Sequence, residues 1–218
     1  MTRIAEQTQN LSNKAPGTEN EDLLLMRRIA GKDRKAFEEL YYRYAPRTGK
    51  YLMKLLYCRE LVDEAMNDVM LAVWQNAERF DPDLGRLSTW LFGIAHNKGL
   101  KLLERQRRHR IEDALEAGTS RIVENEQDES AVFPELSDSD NPEQTVLGWE
   151  IGDHLLWALE QLTAEHRAVV ELTFAEHCSY QEIAVITGCP VNTVKTRMFH
   201  ARKKLAELLA LRGYSFGS

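Results

Sequence analysis

The run YQEIAVITGCPVNTVKTRMFHARKKLAELLAL, Tyr180 to Leu211, holds two helical stretches on either side of Gly188-Cys189-Pro190. A glycine-containing turn between two short helices has the form of a helix-turn-helix. At about 100° per residue, Val191, Val194, Met198, Ala201 and Leu205 gather on one side of the second helix. That side is expected to pack on Ile183 and Ile186. Asn192, Thr193, Thr196, Arg197 and His200 gather on the opposite side, at the leading end of the helix. Arginine and asparagine can pair bidentately with guanine and adenine, and a threonine methyl can touch thymine. Lys195, Arg202, Lys203 and Lys204 flank this face and suit phosphates. The residues therefore point to a duplex-reading helix.

Upstream, Ala164–Phe174 reads as a helix, and before it Asn141-Pro142-Glu143 supplies an N-cap, a proline at the first helical position and an acid in the first turn. That helix would place Ile151, Leu155, Leu159 and Leu162 on one face. Residues 111–140 carry Gly118, Pro134, several serines and no sustained period, the composition of a flexible acidic linker. The charge of the chain is segregated around it. The net value is −6. Yet Glu112 to Asp153 holds thirteen acids against Arg121 alone, a balance of −12, which leaves 27 basic and 21 acidic residues, or +6, elsewhere. A basic remainder is compatible with a nucleic-acid partner despite the acidic total.

In the first half, residues 1–18 read as a polar disordered tail. Thr18 with Glu21 fits a capping box ahead of LLLMRRIA, and Gly31 ends that helix. A second helix begins near Asp33 and is expected to kink or break at Pro46. A third runs from about Glu60 to Arg79 with Val62, Met66, Val69 and Val73 as its apolar stripe. After the turn at Asp81-Pro82 and Gly85, Ser88 is expected to cap a fourth helix reaching the arginines near Arg110. No useful length alternates with period two. The expectation is an all-α chain: a tail at 1–18, a helical domain at 19–110, a linker at 111–140 and a second helical domain at 141–212.

On the fourth helix Leu91, Phe92, Ala95 and Leu102 form an apolar side, while Trp90 falls with Asn97, Lys101, Arg105 and Arg108. An aromatic ring in a basic stripe suits unstacked bases and their backbone. One domain thus fits single strands and the other duplex. No run of about 18 apolar residues suggests a membrane span, and no secretory pattern opens the chain, so the cytoplasm is expected. Cys58, Cys178 and Cys189 form no disulfide framework. His177-Cys178 with Cys189 lacks the four ligands of a closed zinc site, so no metal or other cofactor is expected. Nor does a nucleophile–base pair suggest an enzyme.

These residues resemble a known family, the extracytoplasmic-function (group IV) sigma factors of bacterial RNA polymerase, over 20–211. STWLFGIAHNKGLKLLERQRR at 88–108 is similar to regions 2.3–2.4. DEAMNDVMLAVW at 63–74 is similar to region 2.2, and residues 162–205 resemble region 4. The resemblance implies that Ser88, Thr89, Trp90, Asn97, Lys101 and Arg105 melt and read a −10 element. It implies that Asn192, Thr193, Lys195, Thr196, Arg197, His200, Arg202 and Lys203 read a −35 element. Asp63, Asn67, Asp68 and Trp74 would dock on the β′ coiled coil of core polymerase. It also implies control by an anti-sigma factor and a linker threading the RNA-exit path. Asn67 and Met70 stand where the family usually has Gln and Phe, and His177-Cys178 where Gly-Leu is common. The competing expectation is a stand-alone helix-turn-helix regulator.

Overall fold

The computed structural model describes residues 19–116, 152 and 154–214, and every regular element among them is helical. The tail, most of the acidic linker, Thr18, the Asn141-Pro142-Glu143 start and Ile151 lie outside the described residues. The chain divides into two compact units, one drawn from residues within 1–122 and 181–189, the other from 123–180 and 190–218.

In the first unit, α1 (Glu19–Ala30) buries Leu25, Met26 and Ile29 and stops at the Gly31-Lys32 turn. Here Lys32, at φ 64, takes the left-handed conformation expected of Gly31. Its ammonium explains the exchange: it donates to the Trp74 carbonyl at 2.8 Å and lies 5.3 Å from the Trp74 ring centre. Asp33 then caps α2 (Arg34–Leu56), accepting from the amides of Lys35 and Ala36. Arg28 holds its other oxygen at 2.8 and 3.0 Å, and that contact first, then the amides, keeps the carboxyl below its ordinary range. Of the expected kink or break, the break does not occur: α2 runs through the exposed Pro46. Proline removes one donor at that turn, and the buried residues on both sides, from Leu40 and Tyr44 to Tyr51 and Leu55, keep the helix continuous. The helix ends at left-handed Tyr57.

α3 (Arg59–Asn76) buries Val62, Val69 and Val73 of the expected stripe together with Ala65 and Met70, while Met66 is half-buried. Two 3-10 turns, Ala77–Arg79 and Pro82–Leu84, lead to α4 (Leu87–Glu116). Ser88 is not its cap: the helix already includes Leu87, and the Arg86 carbonyl accepts from the Trp90 amide at 3.1 Å. α4 also continues six residues past Arg110. Helices α2, α3 and α4 pack on one another, with α1 against α2. At the α2–α4 contact, Gly99 lets the backbone come so close that a Cβ there would sit 2.8 Å from Leu55 Cδ2. Buried polar groups of this unit meet one another, although Arg43 Nε is buried without a hydrogen-bond partner. The Tyr51 hydroxyl meets His96 Nδ1 at 2.8 Å, and Asp22 accepts from the Tyr44 hydroxyl at 2.6 Å and from Arg43 at 3.3 Å. Burial pushes the Asp22 carboxyl up even so, and burial with the Asp22 hydrogen bond pushes the Tyr44 phenol up further. α7 (Tyr180–Thr187) groups with this unit and buries Ile183 and Ile186.

The second unit begins with α5, over 154–160, which buries Ala158 and Leu159 but leaves Leu155 exposed. Leu162 is buried just beyond its end. Thr163 caps α6 (Ala164–Phe174), its hydroxyl accepting from the His166 amide. Arg167, buried on α6, turns back to the end of α5 and donates to the carbonyls of Leu159, Glu160 and Leu162 at 3.1, 2.9 and 2.8 Å. These are the orphan carbonyls of a helix C-terminus. α6 packs on α8 (Val191–Leu211), which buries Val194, Met198, Ala201, Leu208 and Leu209. After α8 the chain folds back: the Tyr214 hydroxyl meets His154 Nδ1 at 3.0 Å, and the Arg212 guanidinium lies 4.3 Å from the Trp157 ring centre.

Candidate nucleic-acid interface

α8 starts sharply because of the turn before it. Gly188 sits at φ 64, in the left-handed region, and the Pro190 carbonyl accepts from the amides of Thr193 and Val194. With Val194, Met198 and Ala201 buried, the other arcs of the helix are fixed outward. Asn192, Lys195, Thr196, His200, Arg202 and Lys203 are exposed, and Thr193 and Arg197 are half-buried. The structure thus brings all eight expected residues to the open side of one helix. Several are already engaged within the protein, His200 among them through the Phe199 ring at 5.5 Å. The Thr196 hydroxyl donates back to the Asn192 carbonyl at 2.9 Å, leaving its methyl as the outward group, and the Arg202 guanidinium lies 5.7 Å from the Phe174 ring centre.

Sequence reasoning missed two residues of this surface. Phe199 is 66% exposed, on the same arc as Asn192 and Lys203; the helical projection that placed them would have placed it. His166 comes from α6, with its ring 6.3 Å from that of His200. Burial pulls its pKa down, His200 and Arg197 add to that, and Glu165 opposes them. No projection of α8 alone could have found it.

The α4 stripe is more mixed. Asn97, Lys101, Arg105 and Arg108 are exposed, as their spacing requires. Trp90 is only half-buried but packs against the core of its unit, 5.8 Å from the Phe80 ring that the preceding turn brings over it. A single-helix projection cannot see that turn. Ser88 is half-buried, while Thr89 is buried and its hydroxyl donates to Glu182 at 3.4 Å. Arg105 is not free: both terminal nitrogens reach Glu64 of α3, at 2.7 and 2.8 Å. The pair holds the Glu64 carboxyl below its ordinary range.

On α3, Asp63 and Asn67 are exposed and share an arc with Leu71, an apolar side chain 52% exposed that the sequence reading passed over. Asp68 pairs with Lys98 of α4 at 3.0 Å. Trp74 is half-buried, edge-on to Phe37 at 5.2 Å and beneath Lys32, so much of its surface belongs to the fold. Cys58, Cys178 and Cys189 are free thiols, and among the described residues no three histidines, cysteines or carboxylates gather as a metal site. No helix there is long and apolar enough to cross a membrane.

Residues 40–109 match the model of sigma-70 region 2, and residues 155–205 that of sigma-70 region 4. The ECF RNA polymerase sigma factor RpoE of Cereibacter sphaeroides is 32% identical over 184 residues, 84% of this chain and 92% of that protein. Two solved structures share the fold. One is the sigma factor RpoE in complex with the anti-sigma factor NepR from Bartonella quintana, with a TM-score of 0.59, 24% identity, and coverage of 81% of this chain and 98% of that one. The other is CnrH in complex with the cytosolic domain of CnrY, with a TM-score of 0.57, 25% identity, and coverage of 87% and 97%.

Proposed function

The chain belongs to the extracytoplasmic-function sigma factors of RNA polymerase, and from that premise we propose how its two surfaces divide the work of promoter recognition. As a sigma factor it joins core polymerase and directs initiation at promoters. The observation that carries the residue-level reading is the open face of α8, where six of the eight expected residues are exposed opposite a buried stripe.

In this reading α8 enters the major groove of the −35 element by its N-terminal half. Asn192 and Arg197 read base edges, with Phe199 and the Thr196 methyl supplying apolar contacts to thymine. Lys195, Arg202 and Lys203 hold phosphates and so fix register. On α4, Asn97 and Lys101 lie beside Trp90, whose half-exposed ring offers a stacking surface for a −10 base as the strands part. Asp63 and Asn67, with Leu71 between polar neighbours, form the face for the polymerase coiled coil. The flanks at 19–110 and 141–212 are the two working domains, and 111–140 tethers them.

The protein acts in the cytoplasm and performs no covalent chemistry of its own; bond formation belongs to the core enzyme. The solved complex of a sigma factor RpoE with the anti-sigma factor NepR supports an anti-sigma partner for this chain as well. Run-off transcription with purified core on a genomic promoter library tests the reading. The expected result is initiation at a defined subset that needs both proteins. Specific operator binding by the chain alone, with no core association in gel filtration, would instead establish a stand-alone regulator.

A further inference from the structure

Between α3 and α4 of the first unit runs a groove whose charged lining is the cations Lys98, Lys101, Arg105 and Arg108 and the acids Glu64, Asp68 and Glu104. Its four cations recur at intervals of three, four and three residues along α4, which puts them on one stripe of the helix. Two of them are tied across the groove: Arg105 to Glu64 through both terminal nitrogens, and Lys98 to Asp68 at 3.0 Å. Glu64 and Asp68, four residues apart on α3, are successive members of one ridge. We propose that this groove seats the sugar–phosphate backbone of a single nucleic-acid strand, and that the Glu64 and Asp68 carboxylates occupy the phosphate positions while no strand is bound.

The inference rests on the reading that α4 carries the −10 face, and it assigns Lys98 and Glu64 roles that this reading leaves open. The chemistry of the seat is that of a phosphodiester. A carboxylate and a phosphate present the same bidentate pair of anionic oxygens to a guanidinium, so one can stand in for the other. The ties are exchangeable because they are wet. The side chains of Arg105 and Glu64 are 47% and 43% exposed, and those of Lys98 and Asp68 are 34% and 46% exposed. Exposed pairs of this kind hold weakly. Asp68 is also one of the four residues expected to dock on core polymerase. A partner that takes up Asp68 therefore leaves Lys98 to the strand, which makes core binding and strand binding favour one another. Without core, the carboxylates subtract from the field of the stripe and hold the free protein off non-specific nucleic acid.

The test uses the full chain, alone and reconstituted with core polymerase, and a fluorescein-labelled oligothymidylate read by anisotropy. Glu64→Gln should tighten binding by the free chain by about two- to fivefold at low salt. It should also steepen the dependence of log Kd on log salt by about 0.7, the increment for one more phosphate contact on a single strand. Glu64→Asp, which keeps the charge, should match the native chain, and thermal melting of each variant separates a loss of fold from a change in charge. Unchanged or weaker binding by Glu64→Gln would overturn the proposal, because Glu64 would then position Arg105 rather than stand in for phosphate. Lys101→Ala distinguishes the two levels. If it weakens binding while Glu64→Gln does nothing, the −10 face stands and the stand-in falls. If Lys101→Ala also leaves affinity unchanged, the face itself is misassigned and the proposal goes with it.

Discussion

Replacing Arg167 tests whether a single side chain closes the second unit. Its three donors serve carbonyls at the end of α5, two of them on the buried residues Leu159 and Leu162. The third, on Glu160, lies on a half-buried residue and can recover a water. The Leu159 carbonyl also accepts from the Leu162 amide at 3.1 Å, so Leu162 is the buried acceptor left without its donor, at a cost of about 1–3 kcal/mol for Arg167→Met. Methionine keeps an unbranched stem for packing, which confines the loss to the hydrogen bonds. In a domain of about 60–100 residues each kcal/mol moves Tm by about 4–8 °C, so a drop of about 4 °C or more is expected. Arg167→Lys, with one point donor in place of a fork, should fall between. The assay is thermal unfolding of the full chain, with hydrogen exchange at the α5 and α6 amides to locate the loss. A stability change below about 1 kcal/mol for Arg167→Met would refute the reasoning, since that is the scale of an ordinary surface substitution.

Three further outcomes follow from other contacts. Gly99→Ala should gain about 1 kcal/mol of helix propensity but lose about 1–3 to overpacking against Leu52 and Leu55, so the urea midpoint should fall. At the −35 element, Lys203→Ala should flatten the salt dependence of holoenzyme binding by roughly 0.9 whatever the sequence. Arg197→Ala should instead lose about 1–3 kcal/mol at particular base positions, and an equal loss on every promoter variant would make Arg197 a phosphate contact. The third concerns pH. Burial holds the His166 pKa below its ordinary value, so the folded chain takes up that proton less readily than the unfolded chain. The stability it contributes is present above the ordinary histidine range and is lost as pH falls through the lowered folded value. Melting temperatures from pH 7.5 down to 5, compared between the native chain and His166→Gln, should show a shallower decline in the variant.

The helices legible in the sequence were those whose limits are set locally. Ala164–Phe174, Tyr180–Thr187 and Val191–Leu211 emerge with the bounds that their caps and periodicity define, because a cap or a left-handed glycine acts within a few residues. The open face of α8 was legible for the same reason. What escaped depends on a second element. Pro46 stays inside α2 because buried residues on both sides of it outweigh one lost donor. Trp90 is partly covered by the turn carrying Phe80, Arg105 is held by a carboxylate from α3, and His166 reaches the α8 surface from another helix. Arg167 reads as one more charged residue on an amphipathic helix. Only the neighbouring helix end shows what it does.

α4 runs for 30 residues, about 45 Å, yet among the side chains described along it, up to Asp113, Leu102 is the last that is buried. Arg105 is still tied to Glu64 of α3, and the turns beyond it are helical because the anchored turns have already met the cost of nucleation. The tip of the helix is poorly suited to staying wound. Glu112 and Asp113 bring negative charge toward the negative end of the helix dipole, and no basic residue stands in the last turn. The tip is therefore the part of α4 that unwinds at least cost, one turn at a time from its C-terminal end. Its wound length then becomes a variable set by ionic strength and by whatever neutralises those acids, and the helix works as a ruler whose far end is adjustable while its base stays fixed.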